Sequence, residues 1–272
     1  MTQEERLDYL LEVLSKEAGI EKVPLFLDLE RKRSFLRSLM NVRPPLEMAS
    51  EILKVQDEYL KARNKERGIV DYKKIPTIKE EGSNQKWGSK ISLWQGDITR
   101  LNCAALVNAA NSQMLGCFIP LHYCVDNAIH TYAGVELRRA CYLKMQKLKE
   151  QFGPSYNQKV AIPLMTPAYN LPAQKIIHIV GPIVEGRLTS KHEEDLRNCY
   201  LNSLNLCVEE GLQSVAFCCL STGEFSFPNQ RAAEIAVKAV NDWLDDHADK
   251  IERIIFNVYK DLDREHYKNK LF

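Results

Sequence analysis

The 272-residue sequence predicts an α/β fold preceded by a helical segment. From Ile91 onward, short apolar runs alternate with longer stretches of helical periodicity, which is typical of a sheet with helices on both faces. In the first third of the chain, apolar residues recur at helical spacing only. We therefore expect a helical N-terminal extension at 1–72, a linker at 73–90 rich in turn residues, and an α/β domain at 91–272.

The N-terminal extension is expected to form three helices. The first begins in a capping box at Thr2 and Glu5, carries leucines at i, i+3, i+4 and i+7, and ends before Gly19. The others are expected over Asp28–Val42 and from Pro45 to near Gly68. These segments carry no chemical motif, so we interpret them as a packing or partner-recognition appendage.

The α/β domain is expected to contain six strands, at Ile91–Trp94, Ala104–Val107, Val160–Leu164, Ile176–Val180, Val215–Leu220 and Ile254–Tyr259. Helical patterns separate several of them, near Asn127–Gln151, His192–Gly211 and Gln230–His247. Sheets of this class bind ligands in the crevice beyond the strand ends. The segments that carry chemistry all fall at those positions.

Charge and composition exclude several classes of partner. The 37 basic and 36 acidic residues give no electrostatic reason to expect nucleic acid or an anionic membrane as a partner. No apolar stretch approaches a membrane span, and the N-terminus shows no signal-peptide pattern. Eight cysteines in a chain of this length do not form a disulfide scaffold, so we expect a reducing, cytoplasmic location.

A metal site is suggested by Cys117, His122 and Cys124, spaced C-x₄-H-x-C. Thiolate and imidazole are preferred zinc ligands, and three protein ligands with an open fourth position form the catalytic pattern. Pro120 places the ligands on a loop rather than a helix. Three ordinary side chains are the alternative, because free cysteine is among the most buried residue types. The spacing alone does not decide between them.

Two strand ends carry polar side chains suited to a nucleotide sugar. Asp97, in Gly-Asp-Ile-Thr after the first strand, can accept a hydrogen bond from an exocyclic amine such as that of adenine; a helix cap or turn explains it equally well. Asn108 and Asn111 end the next strand, and their amides suit sugar hydroxyls. Turn chemistry is their alternative role.

Two further segments carry candidate site residues. Asp126 is either the N-cap of the next helix or a carboxylate that acts as a general base or orients a substrate hydroxyl. His130 is expected to pack within the helix. The turn from Ser221 to Pro228 precedes a helix and is rich in small hydroxylated residues. Its backbone N–H groups can therefore approach a phosphate.

Together these motifs resemble the macrodomain family over Ile91 to Phe272. The matching segments are GDIT, VNAAN, Asp126–His130, Tyr169–Ala173 (YNLPA), Ile176–Pro182 (IIHIVGP) and STGEFSFP. Typical members have a glycine-rich loop where this chain has CFIPLHYC. That replacement resembles the zinc-dependent branch of bacteria and fungi, which also tends to carry a helical N-terminal extension. The resemblance implies Zn²⁺ as the cofactor.

The resemblance implies a three-layer α/β/α domain with an ADP-ribose cleft. Residues implied to bind ADP-ribose are Asp97 and Ile98 at the adenine, Tyr259 stacking on it, Ser221, Thr222, Gly223, Glu224 and Phe225 at the diphosphate and distal ribose, and Asn111, Val125 and Asp126 at that ribose. The implied catalytic residues are Asp126, Asn111 and Asn108. Two positions depart from the family pattern: Ala168 stands where glycine is common, and Glu224 replaces a commoner apolar residue.

The implied activity is zinc-dependent hydrolysis of mono-ADP-ribose from modified proteins. By family analogy, the target is a lipoyl-carrier protein of the glycine-cleavage H type, modified by a partner sirtuin. One alternative is a module that binds ADP-ribose without cleaving it, since fold does not fix function. The other is a structural zinc loop in a metal-independent hydrolase, which a fourth protein ligand would support.

Overall fold

A computed structural model of the chain describes residues 1–21 and 28–272. The extension forms helices α1 (Gln3–Glu17), α2 (Leu29–Val42) and α3 (Ser50–Glu66). The predicted capping box of α1 is confirmed, because Thr2 Oγ1 accepts from the Glu5 N–H and the Glu5 carboxylate accepts from the Thr2 N–H. Asp28 caps α2 by accepting from the Arg31 N–H, so the predicted start of this helix is also confirmed.

Helix α3 begins at Ser50, and its predicted start at Pro45 was wrong. The chain between α2 and α3 instead bends around the buried guanidinium of Arg43. This group donates to the carbonyl oxygens of Leu46 at 2.8 Å and Glu47 at 3.1 Å, and it pairs with the Glu17 carboxylate. Carbonyls that point at a guanidinium cannot accept helical hydrogen bonds, so the helix starts later.

The three helices share a small apolar core. Its members are Leu7, Leu10, Leu11, Leu14, Leu36, Leu39, Met40, Tyr59, Leu60 and Val135. Val135 belongs to the α/β domain, so the core of the extension is completed by packing against that domain. The extension is therefore bound to the rest of the protein through buried apolar contacts.

A six-stranded mixed sheet forms the centre of the α/β domain. A small parallel pair, β1 (Val70–Asp71) and β3 (Leu101–Asn102), lies apart from it. The central strands are β2 (Ile91–Gln95), β4 (Ala105–Ala110), β5 (Leu164–Pro167), β6 (Lys175–Val180), β7 (Ser214–Phe217) and β8 (Arg253–Val258). Their order is β2-β8-β7-β4-β6-β5, parallel except for β5 at one edge. The middle strands are buried, as expected for a sheet covered on both faces.

Five helices flank this sheet: α4 (Val125–Ala133), α5 (Val135–Phe152), α6 (Ser190–Glu209), α7 (Asn229–His247) and α8 (Asp261–Leu271). Helices α4 and α5 contact β4 and β5, while α6, α7 and α8 pack on one another and on the other strands. The predicted three-layer α/β/α fold is thereby confirmed.

Four local predictions in the α/β domain were wrong. The single helix expected over Asn127–Gln151 is two helices, broken at Gly134, whose φ of 101° favours glycine. The edge strand begins at Leu164 rather than Val160, because Ala161 has a φ of 61°. Strand β7 ends at Phe217 rather than Leu220. Helix α8 was missed because its sequence is mostly polar.

The segment 73–90 is packed against the α/β domain. Ile78 is fully buried, and its N–H donates to the Ile91 carbonyl at 2.8 Å. The Ser83 hydroxyl donates to the Leu271 carbonyl. The domain boundaries themselves stay predictions. Across the described ranges, none of the helices combines the length and apolarity that a membrane span requires.

We expect Gly134→Ala to destabilise the fold more than Gly153→Ala. Both glycines have φ above 100°, but an added Cβ at Gly134 would lie 2.8 Å from Gln56 Nε2, whereas that of Gly153 meets no atom of the described residues within 4 Å. The Gln56 side chain accepts from the Val135 N–H, so its displacement would also remove a cap of about 1 kcal/mol. Chemical denaturation measures the difference; equal losses would contradict this role of Gln56.

Candidate active site

The candidate site lies at the carboxyl ends of four neighbouring parallel strands. Asp97 follows β2, Tyr259 follows β8, the turn 221–228 follows β7, and residues 111–124 follow β4. Because the sheet order is β2-β8-β7-β4, these segments line one edge in that sequence. The predicted adenine-side residues therefore lie at one end and the candidate metal ligands at the other.

The three candidate ligands converge although their loop has no regular secondary structure. The Cys117 Sγ, His122 and Cys124 Sγ ligand atoms all lie within 4.8 Å of one another, and Cys117 Sγ is 3.4 Å from His122 Nδ1. This donor set fits a tetrahedral zinc with one open position. Within residues 1–21 and 28–272, no fourth His, Cys, Asp or Glu joins this group.

Cys124 lies at the N-terminus of α4, where it acts as the N-cap. Its Sγ accepts a hydrogen bond from the Asn127 N–H at 3.3 Å, and a helix N-terminus favours negative charge. Without a metal, burial raises the pKa of the Cys124 thiol to about 12. A metal would therefore have to displace the thiol proton when it binds.

The His122 ring lies between the metal loop and the turn after β7. Its Nδ1 faces Cys117, and its Nε2 is 3.6 Å from the Glu224 carboxylate. That distance is too long for a hydrogen bond but close enough for electrostatic attraction when the ring is charged. A carboxylate beside the non-ligating nitrogen is a common arrangement around metal-bound histidine. Glu224, the unusual residue of the turn, thus has a position that suits support of His122.

Asp126 lies in the first turn of α4 and is 5% exposed. It is not the N-cap, since Cys124 holds that position. Asn108 Nδ2 donates to Asp126 Oδ1 at 2.8 Å, and His130 Nε2 lies 3.5 Å from the same oxygen. Burial raises the pKa of Asp126 to about 6, although the hydrogen bond from Asn108 opposes this shift.

A buried polar network supports Asn108 from below. Asn108 Nδ2 is 3.1 Å from His178 Nδ1, and His178 Nε2 is 2.9 Å from Thr166 Oγ1. Burial lowers the pKa of His178 to about 3, so the ring is neutral. An amide that donates to Nδ1 leaves the proton on Nε2, which donates to Thr166. The network thereby fixes the orientation of the Asn108 amide that holds Asp126.

A second cluster of possible metal ligands, His130, Cys141 and His178, is fully buried beneath Asp126. Both nitrogens of His178 already have hydrogen-bond partners, so neither offers a free lone pair. The His130 ring packs against Gly116, where an added Cβ would lie 2.8 Å from the ring. The prediction that His130 is a packing residue is confirmed, and we interpret this cluster as core.

The two asparagines have different positions, because Asn108 lies within β4 and Asn111 follows its last residue. Asn108 is 0% exposed, so a direct contact with a sugar hydroxyl does not fit; it can act only through Asp126. Asn111 is partly exposed, and its side chain organises the following turn. It donates to the Gly116 carbonyl at 3.1 Å and accepts from the Gln113 N–H at 3.0 Å. Asn111 therefore stabilises a turn, which was the alternative to binding a sugar hydroxyl.

Asp97 caps the 3-10 helix Ile98–Arg100, as its alternative role predicted. Its Oδ1 accepts from the N–H and hydroxyl of Thr99, and its Oδ2 accepts from Arg67 at 2.5 Å. The carboxylate is still 32% exposed, so it has room for a further donor. Ile98 is 3% exposed and packs in the core, so only its backbone could meet a ligand.

The turn after β7 approaches the neighbouring strand end closely. Ser221 has a φ of 62°, and its hydroxyl lies where a Cβ on Gly181 would stand. A Cβ at position 181 would lie 2.1 Å from Ser221 Oγ, so the serine side chain would have to rotate away. At Gly223 an added Cβ would meet no atom of the described residues within 4 Å, which leaves space for a ligand. The carbonyl of Phe225 accepts from the Val184 N–H at 2.9 Å and fixes the turn to the loop after β6.

Two predicted contacts lie at opposite ends of the cleft. The Tyr259 ring is 73% exposed directly after β8, beside the β2 end that carries Asp97, so it is free to stack on a base. Val125 opens α4 next to Asp126 and packs partly against the core. Thr222 lies between these ends and donates its hydroxyl to the Cys219 carbonyl at 3.2 Å.

The extension contributes residues to this site that the sequence patterns did not predict. Arg67, which follows α3, contacts Asp97 and Thr99 and lies 3.4 Å from the centre of the Tyr132 ring. Arg37 and Asn41 of α2 contact the loop that carries the metal ligands. These residues are 30 to 90 positions from their partners, so no local pattern could identify them.

Comparisons with known proteins find similar sequences and a similar structure. A sequence profile described as the Macro domain matches residues 107–236. A protein-ADP-ribose hydrolase of Treponema medium is 43% identical over 272 residues, covering 100% of this chain and 99% of that protein. A protein-ADP-ribose hydrolase of Staphylococcus aureus is 40% identical, covering 97% and 94%.

A solved structure of the Oceanobacillus iheyensis macrodomain with ADP is also similar. It has a TM-score of 0.58 and 32% identity, and the match covers 66% of this chain and 89% of that chain. The family profile, the full-length relatives and this structure all point to the same fold. The chain therefore belongs to the Macro domain family, together with these protein-ADP-ribose hydrolases.

Proposed function

We propose that this protein is a zinc-dependent hydrolase that removes mono-ADP-ribose from modified proteins. The observation that carries the proposal is the convergence of Cys117, His122 and Cys124 in the loop that leads from β4 to Asp126. A structural zinc would need a fourth protein ligand, and none of the described residues provides one. The protein-ADP-ribose hydrolase relatives, matched over nearly their full length, support the hydrolase activity and its substrate class.

The order of the strand ends supports an extended pose for ADP-ribose. Adenine would stack on the exposed Tyr259 ring and donate its amine to Asp97. The diphosphate would lie along Ser221–Phe225, where backbone N–H groups can approach it. The distal ribose would then reach Asn111, Val125 and Asp126, beside the three metal ligands. The exposed carboxylate of Glu224 would lie on the His122 side of the diphosphate rather than against it.

Cleavage breaks the bond between the anomeric carbon of the distal ribose and the acceptor side chain, and the oxygen of water joins that carbon. A bound zinc ion would polarise a ribose oxygen or lower the pKa of a water molecule. The contacts from Asn108 and His130 both go to Oδ1 of Asp126, which leaves Oδ2 for water or a ribose hydroxyl. Asp126 is the residue that we expect to accept a proton or orient that group.

We also propose a lipoyl-carrier protein of the glycine-cleavage H type, ADP-ribosylated by a sirtuin, as the target. The support for this choice is the resemblance to the zinc-dependent branch of the family. A substrate of this kind should be hydrolysed faster than an unrelated protein that carries the same ADP-ribose linkage. Equal rates would mean that the protein recognises ADP-ribose and its linkage rather than the carrier.

The zinc hypothesis predicts about one zinc per chain, and a chelator should stop the release of ADP-ribose from a modified carrier. Cys117→Ala, His122→Ala and Cys124→Ala should each lose metal and turnover together, because three ligands leave no redundancy. Cys207→Ala, a buried thiol in α6, is the matched control and should keep both. Metal analysis and ADP-ribose release are the measurements. Full zinc content in all three ligand variants would exclude this site.

The adenine contact predicts that Asp97→Ala weakens ADP-ribose binding by about 1–3 kcal/mol. An analogue with hypoxanthine in place of adenine lacks the amine, so the wild type should bind it less tightly than ADP-ribose. Asp97→Ala should bind the analogue and ADP-ribose equally well. Asp71→Ala is the control, because Asp71 caps another 3-10 helix by accepting from the Lys73 N–H. Calorimetry gives the affinities. An unchanged preference for adenine in Asp97→Ala would place the base elsewhere.

The last prediction separates an enzyme from a module that only binds. Asp126→Asn keeps the size of the side chain and an acceptor for Asn108, but it removes the base. We expect the rate of ADP-ribose release to fall about 10²–10⁴-fold. Affinity for free ADP-ribose should fall about tenfold or less, because only one contact changes. Comparable losses of rate and affinity would contradict catalysis by Asp126.

If the zinc-loaded wild type binds ADP-ribose but releases none from any acceptor, the hydrolase proposal itself fails. The protein would then be a binding module. Acceptors tested for this purpose should include acidic side chains.

A further inference from the structure

Helix α2 of the N-terminal extension contacts the metal-ligand loop, residues 117–124, at one of its ligands. The guanidinium of Arg37 donates to the His122 carbonyl at 3.0 Å. The same guanidinium donates to Asn127 Oδ1 at 3.2 Å and 2.7 Å, through Nε and Nη2. One side chain of the extension therefore holds the backbone of a candidate ligand and a residue of α4 at a fixed separation.

Asn127 passes this contact on to the rest of the loop. Its side chain is fully buried, and its Nδ2 donates to the Ile119 carbonyl at 3.0 Å. Its backbone N–H donates to Cys124 Sγ at 3.3 Å. Because Arg37 occupies Oδ1, the amide can be oriented only with Nδ2 toward the loop. Arg37 thereby fixes a residue that touches both the middle and the end of the metal-ligand loop.

Asn41, one turn further along α2, makes a second contact with this loop. Its Oδ1 accepts from the Leu121 N–H at 3.0 Å, and its Nδ2 donates to Thr131 Oγ1 at 3.0 Å. Leu121 has a φ of 59°, a left-handed conformation that is sterically unfavourable for a non-glycine residue. The turn immediately before His122 is thus held in a strained form by a fully buried amide of the extension.

Arg138 of α5 connects the residues around the start of the loop to the end of the same helix. Arg138 of α5 donates to the Leu115 carbonyl at 2.7 Å, and its guanidinium lies 4.2 Å from the centre of the Phe118 ring. It also donates to the carbonyls of Met40 at 3.2 Å and of Arg43, at the end of α2. Arg138 of α5 therefore links the start of the loop to the C-terminal end of α2, while α2 itself contacts Leu121 and His122 near the end of the loop.

We propose that α2 is part of the metal site, and that Arg37 and Asn41 are positioning residues for Cys117, His122 and Cys124. This inference rests on the proposed zinc site. It gives the extension a function, because the extension would preorganise a loop that has no regular structure of its own. Residues that orient metal ligands typically contribute about 10–100-fold to metal affinity. A purely structural attachment of the extension would instead affect unfolding and leave metal affinity unchanged.

The test measures zinc affinity of the full-length protein by competition with a chelator, and thermal unfolding of the metal-free form. We expect Arg37→Ala to lower zinc affinity about 10–100-fold. Arg37→Lys should recover little, because one ammonium cannot reproduce the forked contact with His122 and Asn127. Arg31→Ala is the matched control, because Arg31 is an exposed arginine of the same helix that pairs with Asp28 at its N-terminal end. This variant should bind zinc like the wild type.

A second variant and a double variant make the test specific. Asn41→Ala should also lower zinc affinity, because the Leu121 N–H loses its acceptor. Because Arg37 and Asn127 share a contact, Arg37→Ala combined with Asn127→Ala should lose less zinc affinity than the sum of the two single losses, and fully additive losses would contradict the coupling. Should Asn41→Ala fail to fold, the Arg37 variants alone decide the question.

The outcomes separate this inference from the proposed function. If the wild type binds zinc and both Arg37→Ala and Asn41→Ala bind it equally well, the positioning role is overturned while the zinc site stands. The role is also overturned if unfolding of a variant's metal-free form fully accounts for its loss of zinc affinity. If the wild type itself has no zinc affinity, the proposed function fails and the inference fails with it.

Discussion

The buried amide of Asn127 joins the metal-ligand loop to both helices beside it. Its Oδ1 accepts from Arg37 of α2, its Nδ2 donates to the Ile119 carbonyl, and its N–H donates to Cys124 Sγ at the start of α4. Three side chains on an irregular loop can converge only if the backbone between them is held. These hydrogen bonds hold the candidate metal-ligand loop between α2 and α4.

The central sheet supplies the second constraint, because Asn108 of β4 orients the carboxylate of Asp126. Asn108 is buried within β4, where His178 of the adjoining β6 fixes its amide and is itself held by Thr166 of β5. The amide in turn holds one oxygen of Asp126 and leaves the other for the cleft. A carboxylate buried in this way would be costly without such a donor. The polar network under β4 therefore preserves the geometry that the proposed chemistry requires.

The extension reaches both ends of the cleft through arginines. Arg37 contacts the metal-ligand loop, and Arg67 pairs with Asp97, at the position proposed for adenine. The charge-assisted hydrogen bond from Arg67 restrains the rotation of this carboxylate, so its remaining lone pairs keep a fixed direction. Arg67 also occupies Oδ2 of Asp97. The adenine amine would therefore share Oδ2 with Arg67 or donate to one of the remaining lone pairs of the carboxylate. Through these two arginines, the extension contacts the edge of the sheet where we propose that the ligand binds.

The sequence by itself determined the α/β class, the capped start of α1, the start of α2, the family and the identity of the candidate ligands, because periodicity, caps and short motifs are local. It placed Pro45 in a helix and joined α4 to α5, since the buried Arg43 and the contact of Gln56 with Gly134 lie outside any local window. Only the tertiary structure showed that Asn108 contacts Asp126, and that Arg37, Asn41 and Arg67 contact residues of the candidate site. Those contacts join residues far apart in the chain, and packing alone brings them together.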